Sequence, residues 1–197
     1  MTDLATLNRM DPAAFEAAVG DVFELAPWVA KAAHARRPFA TVSDLHAAMM
    51  GAVRAAPREG QIAFIRNHPD LAGKAARAGE VTDDSRSEQA SVGLDSLSAA
   101  EFERFHRLND AYKAKFGFPF MVCVRRHTRD SILTQFERRL GHDPATEFAA
   151  ALQEVFYITR LRIAGKVAGE GMPDVDGRLS THVLDTHAGR PAIGVAI

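Results

Sequence analysis

The sequence predicts an all-α protein, a compact multi-helix bundle, and three observations carry that reading. Apolar residues recur at steps of three and four almost without interruption up to about residue 168, the spacing that lays one stripe along an α-helix. The interruptions are helix punctuation: Asp11-Pro12 and Asp143-Pro144 as starts, Ser98 with Glu101 as a capping box, Gly117 and Gly141 as stops. With 197 residues, 47% of them hydrophobic, the chain is long enough to enclose a core in one domain and carry an appendage.

Taken in order, Asp11 caps and Pro12 opens a helix through Phe15 and Val19. Ser43 reads as the cap of a helix carrying Leu45, Met49 and Val53. A short helix around Arg58 to Asn67 ends where Pro69 pushes His68 out of the helical region. Ser85 and Glu88 have the spacing of a capping box. From Ser98 a long helix presents Phe102, Phe105, Asn109, Tyr112 and Phe116 on one face. Phe118 to Val124 is apolar but contains Pro119, so a tight loop or short extended piece is expected. Thr128 to Leu140 forms the next helix, and Asp143-Pro144 opens the longest one, running to about Val167. Only the tail breaks the pattern: Thr181–Leu184 and Ile193–Ile197 look like strand pieces joined by Gly189-Arg190-Pro191. The domain reading is therefore a helical domain over 1–168, a linker over 169–177 and an incomplete second unit over 178–197.

Composition narrows the function classes. A formal net charge of -1 argues against nucleic acid as the main partner, since phosphate binding needs an excess of clustered Lys and Arg. No apolar run is long enough to span a bilayer, and Met1 to Met10 has no basic stretch followed by an apolar core, so a cytoplasmic protein is expected. The single cysteine, Cys123, cannot close an internal disulfide, and nothing beside it in sequence would activate a thiolate. The eight histidines are scattered and show no zinc-type spacing with Cys, so a metal site has room in the sequence but nothing asks for one.

Three places can carry chemistry. His68 follows a helix C-terminus, whose exposed carbonyls favour a cation and would raise the imidazole pKa toward a general acid at neutral pH; a merely capping histidine explains the same placement. Ser85-Arg86-Ser87-Glu88-Gln89 offers helix N–H groups and side-chain amide or carboxylate partners to a carbonyl-rich ligand, or simply a cap. With Phe148, Leu152, Val155, Thr159 and Ile163 as the inward stripe of the last helix, Arg162 also points inward, toward either a bound anion or an internal carboxylate.

The order and spacing of these places are more specific than any one of them. Asn67-His68-Pro69-Asp70-Leu71-Ala72-Gly73, Ser85 to Gln89, Gly93-Leu94, Asn109-Asp110-Ala111-Tyr112, Lys115-Phe116-Gly117-Phe118-Pro119-Phe120 and Arg162-Ile163 together resemble the OHCU decarboxylase family, 2-oxo-4-hydroxy-4-carboxy-5-ureidoimidazoline decarboxylases of urate degradation. The resemblance covers roughly residues 5–168. It implies a compact helical domain, a homodimer, release of carbon dioxide to give (S)-allantoin, and no metal or organic cofactor. It also implies that His68 and Glu88 are catalytic. The substrate-binding residues it implies are Pro69, Ser85, Arg86, Ser87, Glu88, Gln89, Phe120, Met121, Val122, Cys123, Val124 and Arg162. Met121 to Arg126 is more basic than the family pattern leads one to expect, which leaves that loop's detail open.

The tail resembles the start of a 5-hydroxyisourate hydrolase, a transthyretin-like enzyme, over Gly177 to Thr186 and Gly189 to Ala192, with His182 at an active-site position. That implies a fusion of two activities, of which the hydrolase part is incomplete here. The chemistry implied for the helical part needs no electron sink, because losing carbon dioxide beside a ring carbonyl leaves an enolate-like anion. In that picture Arg162 binds the anion, N–H groups of Phe120 to Val124 meet ring carbonyls, Glu88 holds N–H donors and helps place His68, and His68 transfers a proton. The competing reading is a non-catalytic helical scaffold that docks the hydrolase domain; it treats Ser85 and Glu88 only as a cap and Arg162 only as a salt bridge.

Overall fold

The structure, a computed structural model, describes residues 1–73, 81–175, 184–185 and 190–191. Its elements in chain order are β1 (Thr2–Asp3), α1 (Leu4–Leu7), α2 (Pro12–Val19), α3 (Pro27–His34), α4 (Val42–Ala55), α5 (Arg58–Arg66), α6 (Asp83–Ala90), α7 (Ala99–Phe116), a 3₁₀ turn (Val124–Arg126), α8 (Arg129–Arg139), α9 (Pro144–Lys166) and β2 (Val167–Ala168). Two further two-residue strands, β3 (Leu184–Asp185) and β4 (Arg190–Pro191), pair antiparallel in the tail. The all-α expectation holds, since the strands are only two residues long.

Most helix ends follow the sequence signals. Asp11 accepts from the Ala14 N–H, Ser98 and Glu101 form a reciprocal capping box, Asp143 accepts from Ala145 and Thr146, and Gly117 closes α7 in the left-handed conformation at φ 76°. Two caps lie earlier than expected. Thr41, with Asp44, caps α4, so Ser43 sits inside the first turn and its hydroxyl donates to the Gly171 carbonyl at 2.7 Å. Likewise Thr82 caps α6, its hydroxyl accepting from the Ser85 N–H, with Asp83 and Asp84 in the first turn where the helix dipole favours acid. Ser85 and Glu88 are therefore inside the helix, and their side chains are released from capping for another use.

Helix α9, 23 residues and so about 35 Å long, runs through the body. It buries Phe148, Val155, Thr159 and Ile163 as the sequence stripe predicts, adds Ala151 and Ile158, leaves Leu152 half-buried, and packs against α4, which in turn packs on α3. Thr159, polar within that stripe, donates to the Val155 carbonyl at 2.8 Å and bonds His46 Nε2 at 2.9 Å, so its hydroxyl is satisfied. At the other end of α9 an aromatic cluster of Tyr112, Phe116, Phe118, Phe120 and Phe136 gathers around the loop that follows α7. That loop, residues 118–123, has no strand or helix, as the Pro119 signal implies.

Past α9 the chain stays attached to the helical body. Strand β2 pairs in parallel with β1, with Val167 opposite Thr2, and the Glu170 and Gly171 carbonyls accept from the Val42 and Ser43 N–H groups. A Cβ on Gly169 would lie 2.8 Å from that of Leu4, which requires glycine at this crossing. The first residues of the segment read as a linker are thus bonded to α4. In the tail, the joint expected at Arg190-Pro191 is itself strand β4, paired with β3. His182, Thr181 to Val183 and Ile193 to Ile197 lie outside the described residues.

Candidate active site

The turn after α5 is built to present His68. Its N–H closes the helix on the Ile65 carbonyl at 3.1 Å, and Phe64 packs edge-on against its ring at 5.2 Å between centroids. The next residues are held one by one from two other helices. Lys113 on α7 pairs with Asp70 at 2.5 Å, Asn109, one turn earlier, donates to the Leu71 carbonyl at 2.8 Å, and Gln89 on α6 accepts from the Ala72 N–H at 2.9 Å. Ala72 is held at φ 50°, a left-handed conformation that costs a non-glycine residue about 1 kcal/mol and that these contacts enforce. Gly73 is required because a Cβ there would lie 2.8 Å from the Asp70 Cβ. Asn109 is thus explained as a satisfier of buried backbone, and it acts on the turn that carries the histidine.

Opposite this turn stands Arg162, buried at 7% exposure on α9. Its Nε and Nη2 donate to the two Glu88 oxygens, both at 2.8 Å, in a bidentate pair. Nη1 donates to Glu24 at 2.9 Å and Nη2 also reaches the Ser85 hydroxyl at 3.2 Å. Glu24 in turn accepts from Thr82 at 2.7 Å and from Ser85 at 3.0 Å. These bonds, with those from Arg162, hold Glu24 below the usual carboxylate range although burial opposes this. The Arg162 guanidinium, for its part, is held above its ordinary value by Glu88 and Glu24 against its own burial. The two readings of Arg162 are therefore partly resolved: it is a salt-bridged pillar. Four of its bonds are to protein, which leaves one of its five N–H donors, on Nη1, for a ligand.

Glu24 did not figure in the sequence reading, yet it is 3% exposed and central. Its signal was present in the sequence: a lone acid inside Val22-Phe23-Glu24-Leu25 is the same anomaly as an arginine on an apolar stripe.

His68 corrects the sequence expectation of a raised pKa. Burial pushes its imidazole down to about 4, and Arg162 adds to this, while Glu24 and the Phe64 and Ile65 carbonyls oppose it. The helix-end carbonyls do pull as expected, but desolvation outweighs them, so the ring is neutral at neutral pH. His68 Nδ1 is buried and has no hydrogen-bond partner among the described residues.

The pH consequence has a definite sign. The unfolded histidine titrates near 6.5 and the folded one at about 4, so between those values the unfolded chain binds a proton that the folded chain does not. Stability should be full above about pH 6.5 and fall as pH drops toward 4, by about 3 kcal/mol for this residue. His46, buried against Thr159 and likewise held down to about 4, adds to the same slope. Urea unfolding between pH 7 and 4.5 should show the decline, and His68→Asn should flatten part of it; an unchanged slope would mean a charged imidazole in the folded state.

A narrow cavity lies between these elements, lined by His68, Pro69, Ser85, Glu88, Gln89 and Arg162 on one side. Phe120, Met121, Val122 and Val124, with Leu71 and Ile158, complete it. Three expected residues stand elsewhere. Arg86 and Ser87 are exposed on the outer face of α6, where Arg86 pairs with Asp83 at 3.2 Å, because helical phase turns them away from Ser85 and Gln89. Cys123 does not line the cavity; its N–H donates to Glu154 at 2.8 Å, and burial pushes its thiol up to about 12, further raised by Glu154 and Glu88. Burial and these carboxylates disfavour the thiolate that a nucleophilic cysteine needs.

A helical domain in which a neutral histidine, an arginine clamped by two carboxylates and the loop after α7 line one cavity is suited to proton transfer on a small polar molecule. The family model described as OHCU decarboxylase matches residues 8–164. The 2-oxo-4-hydroxy-4-carboxy-5-ureidoimidazoline decarboxylase of Haloferax volcanii is 44% identical over 167 residues, spanning 85% of this chain and 97% of the relative. The uric acid degradation bifunctional protein PucL of Bacillus subtilis is 39% identical over 171 residues, 87% of this chain but 34% of the relative. Among solved structures, the crystal structure of (S)-allantoin synthase superposes with a TM-score of 0.69 at 31% identity, over 98% of this chain and 62% of that one. The chain belongs to the OHCU decarboxylase family, and is a decarboxylase.

Proposed function

We propose that this enzyme decarboxylates 2-oxo-4-hydroxy-4-carboxy-5-ureidoimidazoline to (S)-allantoin and carbon dioxide, with His68 as the proton donor. The observation that carries the reading is the buried, neutral His68, its Nδ1 without a hydrogen-bond partner among the described residues, lining one cavity with Glu88 and the Arg162 that Glu24 also holds. That cluster combines one guanidinium with two carboxylates, an excess of negative charge. An incoming substrate carboxylate adds another, and the imidazole is the group able to answer it by taking a proton from solvent. Substrate binding and proton uptake are then coupled, so the proton needed at carbon arrives with the substrate.

The breaking bond is the one between the ring carbon and its carboxylate. Its electron pair forms a double bond to the neighbouring ring carbon, which bears the ureido group, and displaces the C=N electrons through the ring nitrogen onto the 2-oxo oxygen, which gains negative charge. In this reading the Val122 N–H and the remaining Arg162 N–H stabilise that oxygen, the Cys123 N–H being taken up by Glu154. His68 then gives its proton to one face of the ureido-bearing carbon and returns to the neutral form, while the hydroxyl on the carbon that lost carbon dioxide passes its proton to the ring nitrogen and becomes the new ring carbonyl. Ser85, Glu88 and Gln89 bind ring and ureido groups in this reading; Pro69 and Phe120 shape the wall.

Also part of the proposal are a cytoplasmic location, a homodimer, and action without a metal or organic cofactor. No described helix is long and apolar enough to cross a membrane. Residues 178–197 would begin a hydrolase-like second unit after a linker at 169–177; the relative from Bacillus subtilis, of which this chain matches 34%, is itself named as bifunctional. The test is to supply freshly generated substrate and follow optical rotation. One enantiomer formed faster than the spontaneous reaction is expected; a racemic product at the spontaneous rate would sink the proposal.

A further inference from the structure

Bonded to the same loop is a buried polar cluster that does not line the His68 cavity and that the reaction does not use directly. Glu147 on α9 is fully buried and accepts from Arg139 Nε at 2.9 Å and Nη2 at 2.5 Å, from His142 Nδ1 at 2.8 Å, and from the Tyr112 hydroxyl. Such a pair is a poor stabiliser compared with hydrocarbon of the same volume, and the surrounding rings of Tyr112, Phe120 and Phe136 already pack α7 and α8 together. What hydrocarbon could not do is reach the loop. Arg139 Nη1 donates to the Met121 carbonyl at 2.8 Å, and its guanidinium lies 4.5 Å over the Phe120 ring, which stacks on Phe136 at 3.8 Å.

The Met121 carbonyl and the Val122 N–H belong to one planar peptide unit, trans here, so they point in opposite directions. Drawing the carbonyl back onto Arg139 turns the Val122 N–H away from it. Val122 lines the His68 cavity, and its N–H makes no hydrogen bond among the described residues. One residue on, the Cys123 N–H is tied to Glu154 at 2.8 Å, which fixes the next peptide plane as well. We propose that Arg139, held by Glu147, is a positioning residue that aims the Val122 N–H at the oxygen where negative charge develops. The inference rests on the decarboxylase reading for its chemistry, and on the geometry alone for the hold on the loop.

Two substitutions test it. Arg139→Lys keeps a charge but cannot hold Glu147 in a fork and reach Met121 together. Glu147→Asp keeps the ion pair but draws Arg139 back from the loop, and it serves if the lysine variant does not fold. Both are expected to lower kcat by about tenfold to a hundredfold, as removal of an oxyanion donor does, with KM changed far less. Hydrogen exchange of the peptide 118–126 should accelerate in both, with α2 to α4 unchanged. Tyr112→Phe removes a partner of Glu147 without touching Met121, so it should lower Tm while leaving kcat within about twofold of wild type. Folded Arg139→Lys and Glu147→Asp variants with wild-type kcat and wild-type loop exchange would overturn the proposal. A wild-type enzyme without activity on the substrate would overturn the function reading instead, and the exchange comparison would still decide whether Arg139 holds the loop.

Discussion

His68→Asn is expected to slow (S)-allantoin formation by about 10²–10⁴-fold, the range for loss of a positioned acid or base, with the helical circular dichroism unchanged. Asparagine is close to imidazole in size and polarity, so the turn held by Gln89, Asn109 and Lys113 should survive. What asparagine lacks is a titrating nitrogen. The product should therefore lose its optical purity along with its rate, because protonation in the variant is left to water from either face. The pH profile gives a second readout. If the imidazole gains its proton as the anionic substrate binds, kcat/KM should fall with rising pH above the pKa of the complex, and this limb should vanish in the variant. A variant that keeps a near wild-type rate and a single enantiomer would remove His68 from the mechanism.

That role differs from the one read off the sequence in its starting protonation state, and the difference shows what a sequence can carry. The helix-end position of His68 is local, and the carbonyl pull it predicts is present in the structure. Burial is not local: it is contributed by α6, α9 and the loop after α7, and it reverses the net effect. The same distinction sorts the rest. Asp11, Ser98, Asp143 and Gly117 act within a few residues of themselves, so spacing located them. Arg162 was legible as inward-facing because helical phase is local, whereas its partner Glu24 lies 138 positions away and could be seen only as an acid out of place. The capping assignments at Ser43 and Ser85 failed because Thr41 and Thr82 were available one turn or less earlier, each with an acid close behind. Arg86 and Ser87 went astray through treating a contiguous motif as a contiguous surface, which a helix never presents. The β1–β2 pairing, two residues from each end of the helical body, has no sequence signature of its own.

Arg162→Met is expected to cost about 3–5 kcal/mol of stability, since it leaves Glu24 and Glu88 without their cation at side-chain exposures of 2% and 17%. Against a total of about 5–15 kcal/mol this is large but survivable, and measurable by urea unfolding. The same change should sharply weaken binding of (S)-allantoin, because the guanidinium positions Ser85 and Glu88 as well as offering its own remaining N–H. Stability and binding are separable by two further variants. Combining Arg162→Met with Glu24→Gln removes the more deeply buried unpaired charge and should recover part of the stability while leaving binding lost. Arg162→Lys restores a charge, and with it part of the stability, but one ammonium cannot supply parallel donors to Glu88 and reach Glu24 as well. Activity should therefore stay low in the lysine variant even where folding is recovered. If the scaffold reading were right, restoring the fold would be all that Arg162 had to do, and no ligand affinity would track the residue at all. Unchanged (S)-allantoin affinity in the lysine and methionine variants would place the anion site elsewhere and leave Arg162 as a structural strut alone.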